Sequence, residues 1–201
     1  MKTFFSAFVS RYIVPFVETR LIQDIEGFEF VPKDINFIVA ACHQTSIDHF
    51  FVPYPAKNQL SKIHFIGKLD SIFQRLAWGW FYWLAETIAV DRKAKDKRKV
   101  LDKAVEALNN GQIIIIYPEG TRNKKKQLLL GKTGVAELSL RSKVPVIPLG
   151  LIYRNKKKFG PPVSVRIGKP MYFKGGLDDL NLRKVTDQIM KEIAILSEKK
   201  Y

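Results

Sequence analysis

Residues 112–122 read Gln-Ile-Ile-Ile-Ile-Tyr-Pro-Glu-Gly-Thr-Arg, an apolar run that stops abruptly at a polar turn. A continuous run of isoleucine predicts a strand that is buried on both faces of a sheet. An earlier apolar run, residues 36–41, stops in the same way at Cys-His-Gln-Thr-Ser-Ile-Asp, residues 42–48. Because α/β sheets bind ligands beyond the carboxyl ends of their strands, the two polar clusters are expected to share one site.

Strand-like runs alternate with helical patterns along the rest of the chain. The predicted strands are residues 36–41, 63–66, 87–90, 112–116, 145–151 and 163–167, and the predicted helices are residues 100–108, 132–142 and 180–198. Asn109-Asn110-Gly111 is a strong signal for the end of a helix. This alternation predicts an α/β fold with a mixed, largely parallel sheet flanked by helices.

The first residues predict a separate helical segment. Residues 3–17 carry two apolar rows at i, i+4 spacing, Phe4, Phe8, Tyr12, Phe16 and Phe5, Val9, Ile13, Val17. Pro15 is expected to kink or divide this helix. The stripe fits either a helix docked on its own core or an amphipathic helix in a membrane interface. We therefore divide the chain into an N-terminal amphipathic, membrane-associating segment, residues 1–30, and an α/β domain, residues 31–201.

Composition limits the class of protein and its partners. The chain has 201 residues, which favours one domain, and 34 basic against 19 acidic residues give a formal charge of +15. Such an excess favours lipid headgroups, phosphorylated substrates or nucleic acid as partners. The single cysteine excludes an internal disulfide and is typical of a reducing compartment. No apolar run reaches the roughly 18 residues that a spanning helix needs, so none is predicted.

Aromatic and basic residues are clustered. All three tryptophans lie in one stretch, Trp78-Gly79-Trp80-Phe81-Tyr82-Trp83. Tryptophan and tyrosine prefer the headgroup level of a bilayer, so this stretch favours membrane or acyl-chain contact over core packing. Basic runs occupy residues 92–103, 124–126 and 156–158. Each run is either a solvated face or part of a surface for anionic lipid, where a basic residue adds on the order of 1 kcal/mol.

The first polar cluster has the groups of a proton-transfer site. His43 and Asp48 would point about 140° apart on an ideal helix, so they pair only if a new helix begins at Thr45 or Ser46. Thr45-x-x-Asp48 has the spacing of a capping box, which also marks a helix start. Histidine is suited to take a proton from an alcohol, and a carboxylate on its other ring nitrogen stabilises the imidazolium. Since no Gly-x-Ser-x-Gly occurs, the hydroxyl is expected to belong to the substrate.

Other nucleophiles and ligands in this region are weaker candidates. Cys42 is the rival nucleophile, but adjacent strand residues point to opposite faces, which separates its thiol from the imidazole of His43. His49 and His64 are interpreted as structural. The histidines and the cysteine show no metal-ligand spacing, so no metal site is predicted.

The second polar cluster has the groups of an anion site. Gly120 lets the backbone approach a ligand closely, and Arg122 has a planar fork suited to phosphate. Glu119 can orient a hydroxyl or pair with Arg122; a surface turn with an ordinary ion pair is the alternative interpretation. Gly131-Lys132-Thr133 is rejected as a phosphate loop because Lys126 stands where that motif needs glycine.

Four blocks in order make the chain resemble a known family, the glycerolipid acyltransferases typified by 1-acylglycerol-3-phosphate acyltransferase. The blocks are the His43 and Asp48 pair, residues 87–92 ending in Arg92, residues 117–122 and residues 144–148. The resemblance implies that His43 is the general base and that Asp48 steers it. It also implies which residues hold the glycerol phosphate: Glu119, Gly120, Thr121, Arg122 and Arg92.

The resemblance further implies a reaction and its partners. A fatty acyl chain would pass directly from acyl-CoA or acyl carrier protein to the free sn-2 hydroxyl of lysophosphatidic acid, giving phosphatidic acid without an acyl-enzyme or a cofactor. Residues 31–201 would then be the acyltransferase domain. The expected setting is the anionic cytoplasmic face of a membrane, as a peripheral or monotopic protein without nucleic acid. The expected membrane or acyl-chain contacts are Phe4, Phe8, Tyr12, Trp78, Trp80 and Trp83.

The residues leave three other functions open. The same chemistry can act on glycerol 3-phosphate or another lysophospholipid. Water in place of the acceptor hydroxyl would make the protein a thioesterase. The basic and aromatic clusters alone would suit a non-catalytic protein that binds lipid or nucleic acid.

Overall fold

The computed structural model describes residues 7–67, 88–89, 98–154 and 162–201. Within these ranges one sheet contains the strands β1 (Ile22–Glu26), β2 (Ile38–Ala41), β3 (Ile63–Gly67), β4 (Ile88–Ala89), β5 (Ile113–Ile116), β6 (Val146–Tyr153) and β7 (Val163–Ile167). Their order across the sheet is β1-β7-β6-β2-β5-β3-β4. The strands from β6 to β4 are parallel, and β7 and β1 run in the opposite direction. The predicted mixed, largely parallel sheet is confirmed.

Helices cover this sheet. They are α1 (Val14–Arg20), α2 (Arg98–Asn109), α3 (Gly134–Ser142) and α4 (Asp179–Leu196), with 3-10 helices at Phe28–Phe30, Ser46–Phe50 and Tyr54–Lys62. Helix α3 packs between α2 and α4, while α2 contacts β4 and β5 and α4 contacts β6 and β2. Local signals fix the ends of these helices. Asp178 caps α4 by accepting the Asn181 amide at 3.0 Å, and Gly111, with φ +76°, follows the end of α2.

The core is centred on β5. Its four isoleucines are between 0% and 8% exposed, and they lie between β2 and β3 in the sheet. Burial of an isoleucine side chain contributes about 1.5–3 kcal/mol, so this strand is a major source of stability. Because β5 is held on both faces, the residues that follow its carboxyl end also have a fixed position.

The N-terminal helix places its two apolar rows in different environments. A π-helix, Val9–Ile13, continues directly into α1, and Pro15 is the second residue of α1, so the hydrogen-bonding pattern changes where proline was expected to interrupt it. Val17 is buried and Ile13 packs on the core. The other row is exposed, with Phe8 at 46% and Phe16 at 58%. Among the described helices, none combines the length and apolarity needed to cross a bilayer.

Strand β1 is a strand that the sequence pattern did not predict. It lies at the edge of the sheet, pairs with β7, and is irregular between Ile22 and Asp24. The irregularity breaks the alternation of apolar and polar residues on which strand prediction depends. Asp24 accepts a hydrogen bond from the Ser164 hydroxyl at 2.7 Å, which joins the two strands.

Candidate active site

The two polar clusters meet at one edge of the sheet. Strands β2 and β5 are parallel neighbours in which Ala40 pairs with Ile116, so both chains leave the sheet at the same end. His43 follows β2 and Tyr117 follows β5. The backbone amide of Asn123 then donates to the carbonyl oxygen of His43 at 2.7 Å. The expectation that the clusters come together is confirmed in the geometry.

A short helix brings Asp48 back to His43. The 3-10 helix Ser46–Phe50 begins with Thr45 as its N-cap, in the capping-box arrangement. Asp48 accepts hydrogen bonds from the backbone amide of Thr45 at 2.9 Å and from its hydroxyl at 2.8 Å. The same carboxylate lies 2.9 Å from Nδ1 of His43. The helix start predicted from the spacing therefore produces the predicted pair.

Asp48 is a buried carboxylate that stays charged. Its side chain is 0% exposed. Burial alone would raise the pKa of Asp48, but hydrogen bonds from His43, Tyr153 and the amides of Thr45 and Gln44 outweigh burial and hold this pKa below its ordinary value. A charged carboxylate next to Nδ1 keeps a proton on that nitrogen. It would also stabilise the imidazolium that forms when Nε2 takes up a second proton.

Tyr153 is a site residue that the sequence analysis missed. It is the last residue of β6, which lies beside β2, and its hydroxyl donates to Oδ1 of Asp48. Burial, followed by the charge of Asp48, raises the pKa of Tyr153 far above its usual range, so it remains a donor. The available signal was its place at the carboxyl end of a strand parallel to β2.

The ring of His43 is fixed on several sides. It stacks on Tyr117 with the ring centroids 4.1 Å apart and the planes 19° apart. The ring of His49 lies 5.4 Å away, and Nδ1 of His49 is 3.1 Å from the Tyr117 hydroxyl. The His43 side chain keeps 14% exposure. Since Nδ1 faces Asp48, Nε2 is the nitrogen available to a ligand hydroxyl.

His49 reports the electrostatics of the site. Burial, and then electrostatic interaction with His43 and Arg122, lower the pKa of His49 to about 4, although Asp48 opposes them. His49 is therefore neutral near pH 7. The charge of Arg122 is one of the causes of this lowered pKa.

The Glu-Gly-Thr-Arg turn combines a buried acid with exposed groups. The Gly120 amide donates to the Tyr117 carbonyl at 2.9 Å, and Gly120 has φ +67°, which favours glycine. Glu119 is 4% exposed, and its Oε2 accepts from the Asn123 side chain at 2.7 Å and the Leu129 amide at 2.9 Å. In the described part of the chain, Oε1 of Glu119 has no hydrogen-bond partner.

Thr121 and Arg122 are exposed at the end of this turn. Of the two roles open to Glu119, pairing with Arg122 is not observed among the described residues: Asn123 and the Leu129 amide bind Oε2. The surface-turn interpretation therefore describes Thr121 and Arg122 but not Glu119. Within the described residues, the turn thus has an exposed side chain at Arg122 and a buried carboxylate at Glu119 whose Oε1 has no hydrogen-bond partner.

Sequence comparison identifies the family. The acyltransferase family matches residues 23–152. The chain belongs to the acyltransferase family. It is 30% identical over 178 residues to a 1-acyl-sn-glycerol-3-phosphate acyltransferase of Limnanthes douglasii, covering 82% of this chain and 58% of that protein. It is 27% identical over 162 residues to the mouse 1-acyl-sn-glycerol-3-phosphate acyltransferase alpha, covering 76% of this chain and 55% of the relative.

Structural comparison gives the same fold. The crystal structure of the 1-acyl-sn-glycerophosphate acyltransferase of Thermotoga maritima is similar, with a TM-score of 0.66 and 24% identity over 93% of this chain and 79% of that one. The chain spans only 55% to 58% of the length of the plant and mouse relatives. The region that matches the acyltransferase family, residues 23–152, contains both polar clusters.

Cys42 is poorly suited to act as a nucleophile. The residue is 1% exposed. Burial raises the pKa of its thiol to about 11, so the thiolate is scarce at neutral pH. Its sulfur instead accepts from the side-chain amide of Gln44 at 3.7 Å, a structural contact.

Several predicted contacts lie outside the described residues. They are Phe4, Trp78, Trp80, Trp83 and Arg92. Phe8 and Tyr12 are described and are 46% and 58% exposed. The sequence predictions for the other five residues stay predictions.

Proposed function

We propose that this acyltransferase moves a fatty acyl chain from an acyl thioester to the free sn-2 hydroxyl of 1-acyl-sn-glycerol 3-phosphate, giving phosphatidic acid. The observation that carries the proposal is the His43 and Asp48 pair, 2.9 Å apart, tied to the Glu-Gly-Thr-Arg turn through Asn123. The names of the plant and mouse relatives support this acceptor.

The proposed chemistry follows from the hydrogen bonds of His43. Its Nε2 takes the proton of the acceptor hydroxyl as the oxygen attacks the thioester carbonyl carbon. Asp48 stabilises the resulting imidazolium through Nδ1. When the carbon–sulfur bond breaks, the imidazolium returns the proton to the departing thiolate. General base catalysis of this kind contributes roughly 10²–10⁴-fold, and holding the hydroxyl against the thioester contributes more.

The Glu-Gly-Thr-Arg turn is proposed to hold the glycerol phosphate. Arg122 is exposed and has the donor geometry that phosphate needs. Oε1 of Glu119, which has no partner among the described residues, is an acceptor for a glycerol hydroxyl. Gly120 lets the backbone bend close to the ligand, and the exposed Thr121 offers its hydroxyl. Arg92 is retained from the sequence as a further cation. The acyl donor is acyl-CoA or acyl carrier protein.

Membrane association is proposed through the exposed aromatic row of the N-terminal helix. Phe8, Tyr12 and Phe16 are 46%, 58% and 58% exposed at i, i+4 spacing. Such a row, together with a strongly basic chain, suits the anionic cytoplasmic face of a bilayer. Changing all three to serine should abolish co-sedimentation with anionic liposomes, whereas serine at Leu180, which is 81% exposed elsewhere, should not. Full sedimentation of the triple variant would refute this anchor.

A thiol-release assay tests the reaction. Purified protein is mixed with acyl-CoA, with and without lysophosphatidic acid, and free thiol and phosphatidic acid are measured. The expected result is thiol release that requires the lysolipid and falls by about 10²–10⁴-fold in His43→Ala. His64→Ala, a histidine in β3, serves as the matched control and should keep its activity.

The assay separates the other functions. Thiol release without added lysolipid would identify a thioesterase. Equal turnover with glycerol 3-phosphate would change the acceptor. Binding of nucleic acid without any thiol release would overturn catalysis altogether.

A further inference from the structure

Lys132 lies against the turn that the proposed function assigns to the substrate phosphate. Its backbone amide donates to the carbonyl of Pro118 at 2.9 Å. Its side chain extends over Gly120: a Cβ atom at that glycine would lie 2.5 Å from Nζ, 2.8 Å from Cε and 3.1 Å from Cδ of Lys132. The ammonium therefore lies beside the residue that links Glu119 to Thr121.

Gly120 is thus required for two reasons. Its φ of +67° belongs to the left-handed region, which side chains disfavour. In addition, any side chain there would occupy the volume that the end of the Lys132 chain fills. Gly120 therefore permits the bend of the backbone and leaves space for the end of the Lys132 side chain.

The backbone at Lys132 is held by its neighbours. Arg183 on α4 donates to the carbonyl of Gly131 at 2.7 Å. A Cβ atom at Gly131 would lie 2.6 Å from Met190, so this segment is packed closely on α4. Helix α3 begins at Gly134, two residues after Lys132. The backbone from which the Lys132 side chain extends is therefore held in place on α4.

The charge of Lys132 is not neutralised by the described part of the protein. The residue is exposed, and the described residues provide its ammonium with no carboxylate within ion-pair distance. Glu119, the acid of the same turn, is bound instead by Asn123 and the Leu129 amide. By contrast, Arg141, Arg154, Arg166 and Arg183 all have acidic partners. Lys132 is thus a cation without an acidic partner among the described residues. It lies over the turn that the proposed function assigns to phosphate, so it is suited to bind that phosphate.

We infer that Lys132 is a second phosphate-binding cation, which contacts the acceptor phosphate together with Arg122. This inference rests on the proposed function, because it assigns the same turn to a phosphorylated acceptor. The stretch Gly131-Lys132-Thr133 lacks the spacing of a phosphate loop. The fold brings its lysine to the turn by a different route, through the return of the chain to Pro118.

The test compares Lys132→Met, Lys132→Arg and Lys124→Met. Lys124 is an exposed lysine of the same loop and serves as the matched control. We expect the KM for lysophosphatidic acid to rise on the order of tenfold or more in Lys132→Met, with a much smaller change in kcat. Lys132→Arg should recover most of the affinity, and Lys124→Met should behave like the wild type. A KM within twofold of the wild type in Lys132→Met, or an equal rise in Lys124→Met, would overturn the inference.

A binding measurement separates this inference from the proposed reaction. Glycerol 3-phosphate is titrated calorimetrically into the wild type and the same variants. If the wild type binds it and Lys132→Met binds it at least tenfold more weakly, Lys132 is a phosphate ligand even if no acyl transfer is detected. If both proteins bind it equally while the wild type transfers acyl chains, the role of Lys132 fails and the reaction stands.

Discussion

The candidate site has a histidine side, formed by His43 and Asp48, and a turn side, formed by residues 119–122. The two sides differ in how their charged groups are bound by the protein. Asp48 is fully buried and accepts hydrogen bonds from His43, Tyr153, Thr45 and Gln44. On the turn side, Arg122 is exposed and Glu119 keeps an oxygen without a partner in the described structure. A base must be oriented before the substrate arrives, whereas a phosphate site must keep positive charge available until it does.

The largest effect is expected when the histidine side loses its charge. Asp48→Asn keeps the shape of the side chain but removes the carboxylate that, in the proposed mechanism, holds the Nδ1 proton and stabilises the imidazolium. We expect kcat to fall by about 10³-fold with little change in KM. Steady-state kinetics measure both constants, with Asp179→Asn, an exposed residue of α4, as the control. A kcat within threefold of the wild type would contradict the role of Asp48.

On the turn side, we expect a substitution to change KM rather than kcat. Arg122→Ala removes an exposed guanidinium, so the KM for lysophosphatidic acid should rise by about 10–100-fold while kcat changes only a few-fold. The KM of Arg122→Lys should lie between those of the wild type and Arg122→Ala, because a lysine keeps the charge but not the planar fork. If Arg122→Ala instead lowers kcat as Asp48→Asn does, the division between the two sides is wrong.

His49 provides a smaller effect that depends on pH. Its folded pKa of about 4 lies below the ordinary 6.5, so the unfolded chain binds more protons between these values. The wild type should therefore lose stability relative to His49→Gln as pH falls from 6.5 towards 4, by up to about 3 kcal/mol. Thermal unfolding at several pH values measures the difference.

The same measurement also tests whether the guanidinium of Arg122 lies near His49. Because its charge helps to lower the pKa of His49, the pH-dependent difference should shrink when it is repeated in the Arg122→Ala background. A difference that does not vary with pH would show that His49 is not held neutral. An unchanged difference in the Arg122→Ala background would place the guanidinium away from the histidine side.

Cys42→Ser should have the smallest effect. The thiol is buried and its pKa is raised to about 11, so it has no part in the proposed transfer. We expect kcat within twofold of the wild type in the thiol-release assay. Loss of activity in a variant whose thermal unfolding is unchanged would return Cys42 to consideration as a nucleophile.

Much of the site was predictable because its signals are local. The capping-box spacing at Thr45 and Asp48 predicted a helix start, and the helix begins at Ser46. The isoleucine run predicted β5, and residues 163–167 were predicted with the bounds that β7 has. In each case the pattern lies within a few consecutive residues, where backbone geometry and burial act directly.

Other members of the site were not predictable because their partners are distant in sequence. Tyr153 reaches Asp48 across 105 residues, and Asn123 joins the two clusters through the backbone of His43. Neither residue belongs to a spacing motif. Their positions depend on which strands are neighbours, and strand order depends on how the whole chain packs.

The sequence by itself determined the class of fold, the two polar clusters and the expectation that they share an edge, since periodicity and strand-end chemistry are properties of neighbouring residues. Only the tertiary structure decided which apolar row of the N-terminal helix faces the core. It also decided that Glu119 binds Asn123 rather than Arg122, and that Lys132 lies over Gly120. These outcomes depend on contacts between segments far apart in the chain, and such contacts are fixed by packing rather than by local pattern.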